Sequence, residues 1–562
     1  MQSSRSFKLI LALFVVMLGG FLLHQKYNAQ RDDATSLWFQ QPESQQATNL
    51  ASTPVKEWRV TVENTPHPDE PRGTMFEWKS KDGALKCAAG FVYSIGSHAF
   101  SNQNQLEFWC RDAKLKPLTF TALARPKSDF PQSYIGNING ELYDYTTYRV
   151  YDFDWNVWRE ISDRDWADLG GALPDIFQYT NDTPVVITTD YKHCAGVSLF
   201  SPKGYLGTVD TGSNINSVFI WRGAVYLNAN RQVWRATLPQ QVQVGDGTCQ
   251  KLDYEVVSDH SDWIYTFFPF ADSLYYGGSL DFSADVSDKN CAQLYRWDDT
   301  QGRFVGNSIA HLDGSCGNHN ITEIYSFTPA NQKAWVGNFP HAGIVELNEA
   351  NATLTNIAAP TKDDYGFKQG QNFYRESQTV SSSYGQLFIG MFPWAEFYQI
   401  NPKTGEELIQ RLIAHPKKEP IESPYNKDGI TEGSETDHTH WGQRITRIAV
   451  LNGKLCAGTG NKRGKRYSAA DFPNLDEKDT LDYGKVFCAN LPNHTMAAHQ
   501  IAPKAELRFV ISDKEMLILA DGVVIARSPH SLSAAEVAKL ADDGQQTWGK
   551  GDYGTAQGEL KF

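Results

Sequence analysis

The sequence predicts an all-β fold, a seven- or eight-bladed β-propeller, on three observations. The segment Phe327–Asn348, FTPANQKAWVGNFPHAGIVELN, is echoed about fifty residues later by Ser381–Asn401, SSSYGQLFIGMFPWAEFYQIN, with the loops Gly337–Gly343 and Gly390–Glu396 aligned. Self-similarity at such a period marks a repeated supersecondary unit. Each copy reads strand, tight turn, strand, glycine-opened loop, strand, an order that a β-sandwich or a β-helix leaves unexplained. Composition agrees: 12% of the residues are aromatic, the signature of pleated strands rather than helices.

Taken in order, residues 1–30 carry Arg5 and Lys8 and then an apolar run, Leu9–Leu23. This is an export signal, either cleaved near Ala29 or kept as an anchor through residues 9–23; about 15 apolar residues is short for a span. No cysteine follows the run, which excludes a bacterial lipoprotein. Residues 31–60 are polar, aperiodic and linker-like.

Residues 61–503 are expected to form the propeller, with eight candidate units between 74 and 490. Thr74–Gly90 and Ile445–Gly458 share strand, Asp/Asn-Gly turn and a strand bearing a cysteine. Each continues to a third strand with a second cysteine, at 105–112 and 484–490. Ser133–Glu160, Ile176–Gly204, Ile215–Thr237 and Ile264–Trp297 supply further copies around tight turns. At about 40–50 residues per blade, seven or eight fill this segment. Residues 504–562 change character: two strands about Asp521-Gly522, a short helix at Ser531–Leu540 with a serine cap, and a glycine-rich strand. They read as a small β appendix or as the segment that closes the ring.

The net charge of −13 argues against nucleic acid as a partner. Eight cysteines in an exported chain read as disulfides. The parallel between the two cysteine-bearing units favours sequential pairs: Cys87 with Cys110, Cys194 with Cys249, Cys291 with Cys316, and Cys456 with Cys488.

In a propeller, the loops before the innermost strands and those joining second to third strands share one face. His98, His193 and His341 fall in the latter; His260, His319, His438 and His440 precede innermost strands. The densest constellation is TEGSETDHTHWGQRIT, Thr431–Thr446. In an extended chain His438 and His440 point the same way, which suits a base/acid pair. It also admits a divalent metal, given a third ligand such as His319 or His260. Arg444 supplies a fixed positive charge. The preceding unit brings Tyr374, Arg375 and Glu376 to the equivalent place, and the one before it His319, Asn320 and Glu323. Trp394 and His341 occupy the same repeat position and could stack on a sugar ring; rim packing is the plain alternative. A long insertion, Gly458–Tyr483, is locally basic at Lys462, Arg463, Lys465 and Arg466. It reads as an arm for a carboxylate, sulfate or phosphate, or as a solvated charge run. Nucleophile-elbow, dinucleotide-binding and P-loop motifs are absent from the sequence.

At the level of fold the chain resembles the exported β-propeller superfamily, and within it the propeller polysaccharide lyases. That resemblance implies β-elimination on an acidic glycan. His438 or His440 would be the base, Tyr374 the acid to the leaving oxygen, and Arg444 or Arg375 the neutraliser of the carboxylate. His319, His260, His341, Trp394, Arg463 and Arg466 would line the substrate. A hydrolase would instead use paired carboxylates such as Glu376 with Glu323 or Asp437. The alternative from another class is a non-catalytic glycan- or protein-binding propeller at the cell surface.

Overall fold

The structure is a computed structural model. It describes residues 54–63, 74–80, 82–96, 100–124, 131–138, 140–147, 149–160, 174–180, 183–190, 196–201, 204–210, 215–230, 232–239, 251–258, 264–277, 293–308, 323–330, 333–339, 344–347, 352–355, 376–392, 395–413, 443–461, 464, 466–470, 476–497, 504–540, 545–546 and 556–561.

The chain opens with strands β1 (Pro54–Glu63), β2 (Thr74–Lys79), β3 (Leu85–Gly96), β4 (Phe100–Asp112) and the short β5 (Phe120–Ala122). Six antiparallel four-stranded meanders then follow one another, the fifth of them joined through the single pair Phe327–Ile95 to the sheet that contains β3. They run from β6 (Ile135–Ile138) to β9 (Val157–Glu160), β10 (Pro174–Thr180) to β13 (Gly204–Val209), β14 (Ile215–Trp221) to β17 (Tyr254–Val256), β18 (Phe267–Phe270) to β21 (Arg303–Ser308), β22 (Glu323–Ala330) to β25 (Ala352–Thr355), and β26 (Glu376–Ser383) to β29 (Glu407–Arg411). A seventh comprises β30 (Gln443–Leu451), β31 (Lys454–Asn461) and β32 (Val486–Asn490). Its fourth strand is β5, brought in from far upstream so that Cys488 faces Thr121. Consecutive four-stranded meanders, the last completed by a strand that precedes the first, are the topology of a β-propeller.

The repeating glycines explain how the sheets stack. Gly277, Gly337, Gly390 and Gly458 sit on the second strands of four successive sheets. A Cβ on each would collide with the first strand of the next sheet or the residues leading into it: Ile324, Ser377, Ile445 and Ser133 respectively. The last of these carries the packing from the seventh sheet back to the first. Inter-sheet approach this close requires a residue without a side chain.

The ends of the chain do something else. After β33 (His494–Ala497) come β34 (Lys504–Ser512), β35 (Glu515–Ala520), β36 (Val523–Pro529), a helical turn α1 (Ala534–Ala538), β37 (Gln545–Gln546) and β38 (Ala556–Lys561). One sheet has the order β36-β35-β34-β1-β38; β37, β2, β3, β4 and β33 pair successively in another. The two bury Trp58, Val60, Phe509 and Ile518 against Trp78, Phe91, Leu106 and Phe108, with Phe108 edge-on to Phe509 at 5.6 Å. Helix α1 is fixed by a capping box between Ser533 and Glu536 and adds Val537 to this core.

One expectation is corrected here: Thr74–Gly90, expected to be a blade, supplies strands to a sheet of this sandwich. The segment beyond 504 gives no strand to a blade sheet; its strands pair with β1. The disulfides Cys87–Cys110 and Cys456–Cys488 are formed as expected. Cys194, Cys249, Cys291 and Cys316, the residues 1–30 and nearly all of 31–60 lie outside the described residues. Among the described residues no helix is long and apolar enough to cross a membrane.

The hairpin β3–β4 joins sandwich to propeller by entering the propeller axis. β3 lies against the innermost strands β22 and β26, and β4 against β6 and β10. Ile95 bonds in register with Phe327, and Thr328 Oγ1 donates to the Tyr93 carbonyl at 2.7 Å. On the other side Asn137 Nδ2 donates to Gln105 Oε1 and to the Val450 carbonyl, both at 2.7 Å. Since β3 is antiparallel to β22, it runs from the side of the first-to-second turns toward the side where β22 starts.

Candidate functional site where the innermost strands begin

The opposite end of the propeller axis carries the polar groups. β26 starts at Glu376 and β30 at Gln443-Arg444, and the ladders set Glu376 across from Phe392 and Gln443 across from Asn461. Arg444 Nη2 lies 3.6 Å from Glu376 Oε2, with both side chains buried. The same guanidinium sits over the Phe392 ring at 5.5 Å, and its Nη1 donates to the Tyr134 hydroxyl at 3.4 Å. Tyr134 belongs to the stretch leading into β6, so three adjacent sheets meet at one arginine.

A register shift falls between Ile445 and Arg447, and the Arg447 guanidinium lies 5.5 Å from the Tyr134 ring centroid. Burial pulls Arg447 down to about 10, and the nearby Arg444 acts in the same direction. Arg447 still carries its charge at neutral pH. Buried charges cost several kcal/mol each unless they are paired and hydrogen-bonded. Arg444 and Glu376 are paired with each other, and Arg447 lies beside them against Tyr134.

The rim is tied from sheet to sheet. The Ala395 N–H donates to the Gln443 carbonyl at 3.1 Å. Gln132 Nε2 donates to the Asn461 carbonyl and Thr446 Oγ1 to the Ser133 carbonyl, while Ser133 Oγ donates to Gly484 O at 2.7 Å. At the end of the long insertion Tyr483 is buried, and Lys485, just beyond it, pairs with Asp482 at 2.6 Å. The insertion is thus anchored at its return; Arg466, further out, is exposed.

Of the residues singled out from sequence, the structure brings Arg444 together with Glu376, named above as a polar group at the preceding strand entry and as a hydrolase carboxylate. His438, His440, Tyr374, Arg375, His319, His260, His341, Trp394 and Arg463 lie outside the described residues. Among the described residues there is no group of three or more His, Cys, Asp or Glu placed to hold a metal ion. Sequence reasoning missed Tyr134 and Arg447. Arg447 was legible, because the string QRITRI puts a second arginine three residues after the first in a buried strand; Tyr134 carries no signal of its own.

No family model and no curated protein matches the sequence. Solved structures similar to it include the extracellular domain of a protein assigned to the one-component systems of B. thetaiotaomicron, with TM-score 0.39 and 10% identity over 72% of this chain and 46% of that one. The chain thus spans less than half of that structure's length. The WD40 repeats of RRP9 match with TM-score 0.38 and 10% identity over 67% of this chain and 100% of that one. BamB from Moraxella catarrhalis matches with TM-score 0.28 and 8% identity over 74% and 98%. The propeller assignment rests on the sheet topology described above.

Proposed function

We propose that the chain is an exported, seven-bladed propeller that binds an acidic glycan at the mouth where its innermost strands begin. The observation that carries this reading is the asymmetry of the axis. A hairpin fills it from one end, while Arg444, Arg447, Tyr134 and Glu376 converge from three blades at the other. The basic insertion containing Arg463 and Arg466 follows directly from the blade that supplies both arginines, which suits a carboxylate- or sulfate-bearing polymer. Export is supported by the apolar N-terminal run and by two disulfides, bonds typical of oxidising compartments. Binding is preferred to turnover because Arg444, the neutraliser that β-elimination would need, is paired with Glu376, while the exposed Arg466 of the insertion offers its charge to the polymer.

The test is calorimetric titration of uronic-acid and neutral polysaccharides into the purified protein, with ultraviolet absorbance recorded for unsaturated products. Salt-sensitive binding of acidic polymers without new absorbance supports the proposal. Unsaturated products that vanish in His438→Ala would replace it with the lyase reading. Absence of binding to any acidic polymer would overturn both.

A further inference from the structure

Two propeller turns end on one buried pair of side chains from the sandwich. His494 is 2% exposed and Glu107 6%, with His494 Nε2 at 3.1 Å from Glu107 Oε2. The Gly453 N–H donates to His494 Nδ1 at 3.1 Å. A backbone N–H only donates, so Nδ1 carries the lone pair and Nε2 the proton given to Glu107. Glu107 is fixed in turn by Ser383 Oγ at 2.6 Å and by the Tyr384 N–H at 3.1 Å. A carboxylate orients an imidazole, and the imidazole faces a proton; this is the logic of a general base. Here the proton is on the backbone nitrogen of Gly453, and the preceding residue is the exposed Asn452.

In an Asn-Gly dipeptide the backbone nitrogen can reach the asparagine side-chain carbon, because glycine has no Cβ in the way; Gly453 has φ +70°. We propose that Asn452-Gly453 is a self-modification site driven by the Glu107–His494 pair. His494 Nδ1 takes the proton as the Gly453 nitrogen bonds to Asn452 Cγ. The bond from Cγ to the side-chain nitrogen breaks, and ammonia leaves with the proton that His494 held. Water then opens the resulting five-membered imide at either carbonyl, leaving aspartate or isoaspartate at 452. The net change is amide plus water to acid plus ammonia, with no redox partner.

The experiment incubates the full chain at neutral pH, folded and urea-unfolded, and follows amide-to-acid conversion by peptide mass mapping and isoaspartyl methyltransferase labelling. The only other Asn-Gly in the sequence, Asn139-Gly140, is the internal reference. Asn452 is expected to convert about tenfold faster in the folded chain than in the unfolded one, a modest share of what a positioned base can supply. Asn139 reports on solution conditions, and His494→Gln should remove the excess. A folded rate at or below the unfolded rate overturns the proposal, even if His494→Gln fails to fold. So does a folded His494→Gln that converts as fast as the wild type.

Discussion

Ile95, near the tip of the axial hairpin, bonds in register with Phe327 on the innermost strand of the fifth sheet. Through that pair the sandwich made by the two chain ends reaches into the ring made by the middle of the chain. Glu77 marks the same junction from outside, where it accepts from Lys86 of the sandwich at 2.7 Å and Lys403 of the propeller at 2.6 Å.

Because Ile95 is fully buried, Ile95→Ala leaves a cavity where the two parts join. The expected loss is about 2–5 kcal/mol. Urea unfolding followed by near- and far-ultraviolet dichroism should still show one transition. Two separated transitions in the wild type would mean that the hairpin does not couple the parts.

Gly390→Val places a Cβ about 2.5 Å from Ile445 Cγ2 on the next sheet. Overpacking of this kind costs about 1–3 kcal/mol. Ile445→Ala in the same chain should recover part of it, and a double-mutant cycle measures the coupling. Additive effects would refute the proposed stacking of the sixth sheet on the seventh.

Arg444→Met leaves Glu376 buried with its arginine gone, and the expected destabilisation is about 3–5 kcal/mol. Adding Glu376→Gln should restore a good part, because the buried carboxylate that the guanidinium faced is then neutral. Thermal denaturation of the single and double variants checks this; a double variant no better than the single contradicts it.

Asp144 is fully buried, and burial raises it to about 6 from an ordinary 3.8, against the opposing hydrogen bonds from Thr147 and Thr146. The folded state therefore holds a proton that the unfolded state has lost between these values. Stability should fall as pH rises from about 4 to about 6 and level off above, by an amount on the order of 2–3 kcal/mol. In Asp144→Asn that slope should be absent. Urea midpoints at stepped pH give the comparison, and parallel curves for the two proteins would rule the assignment out.

The blades were legible where their grammar is local. Ser381–Asn401 shows its turn at Tyr384-Gly385, where both residues have positive φ, and its packing glycine at Gly390. The site was legible only in part. Arg444 stands out as a charge at the start of a strand, but its partner Glu376 lies on another sheet, and nothing near Arg444 in the chain indicates it.

Thr74–Gly90 and Ile445–Gly458 mark the boundary between what the sequence by itself determined and what only the tertiary structure decided. Both are hairpins with a glycine turn, and each is bridged by a disulfide to its third strand, so turn chemistry, strand alternation and cysteine spacing were settled by the residues themselves. Their identities diverge because a strand's free edge and faces are completed by partners remote in the chain. The unit at 74 meets β33 along its third strand, β4, and packs on β1 and β34, while the unit at 445 takes β5 along its third strand, β32. Hydrogen bonding and burial between remote segments depend on where the whole chain brings them, and no local pattern encodes that choice.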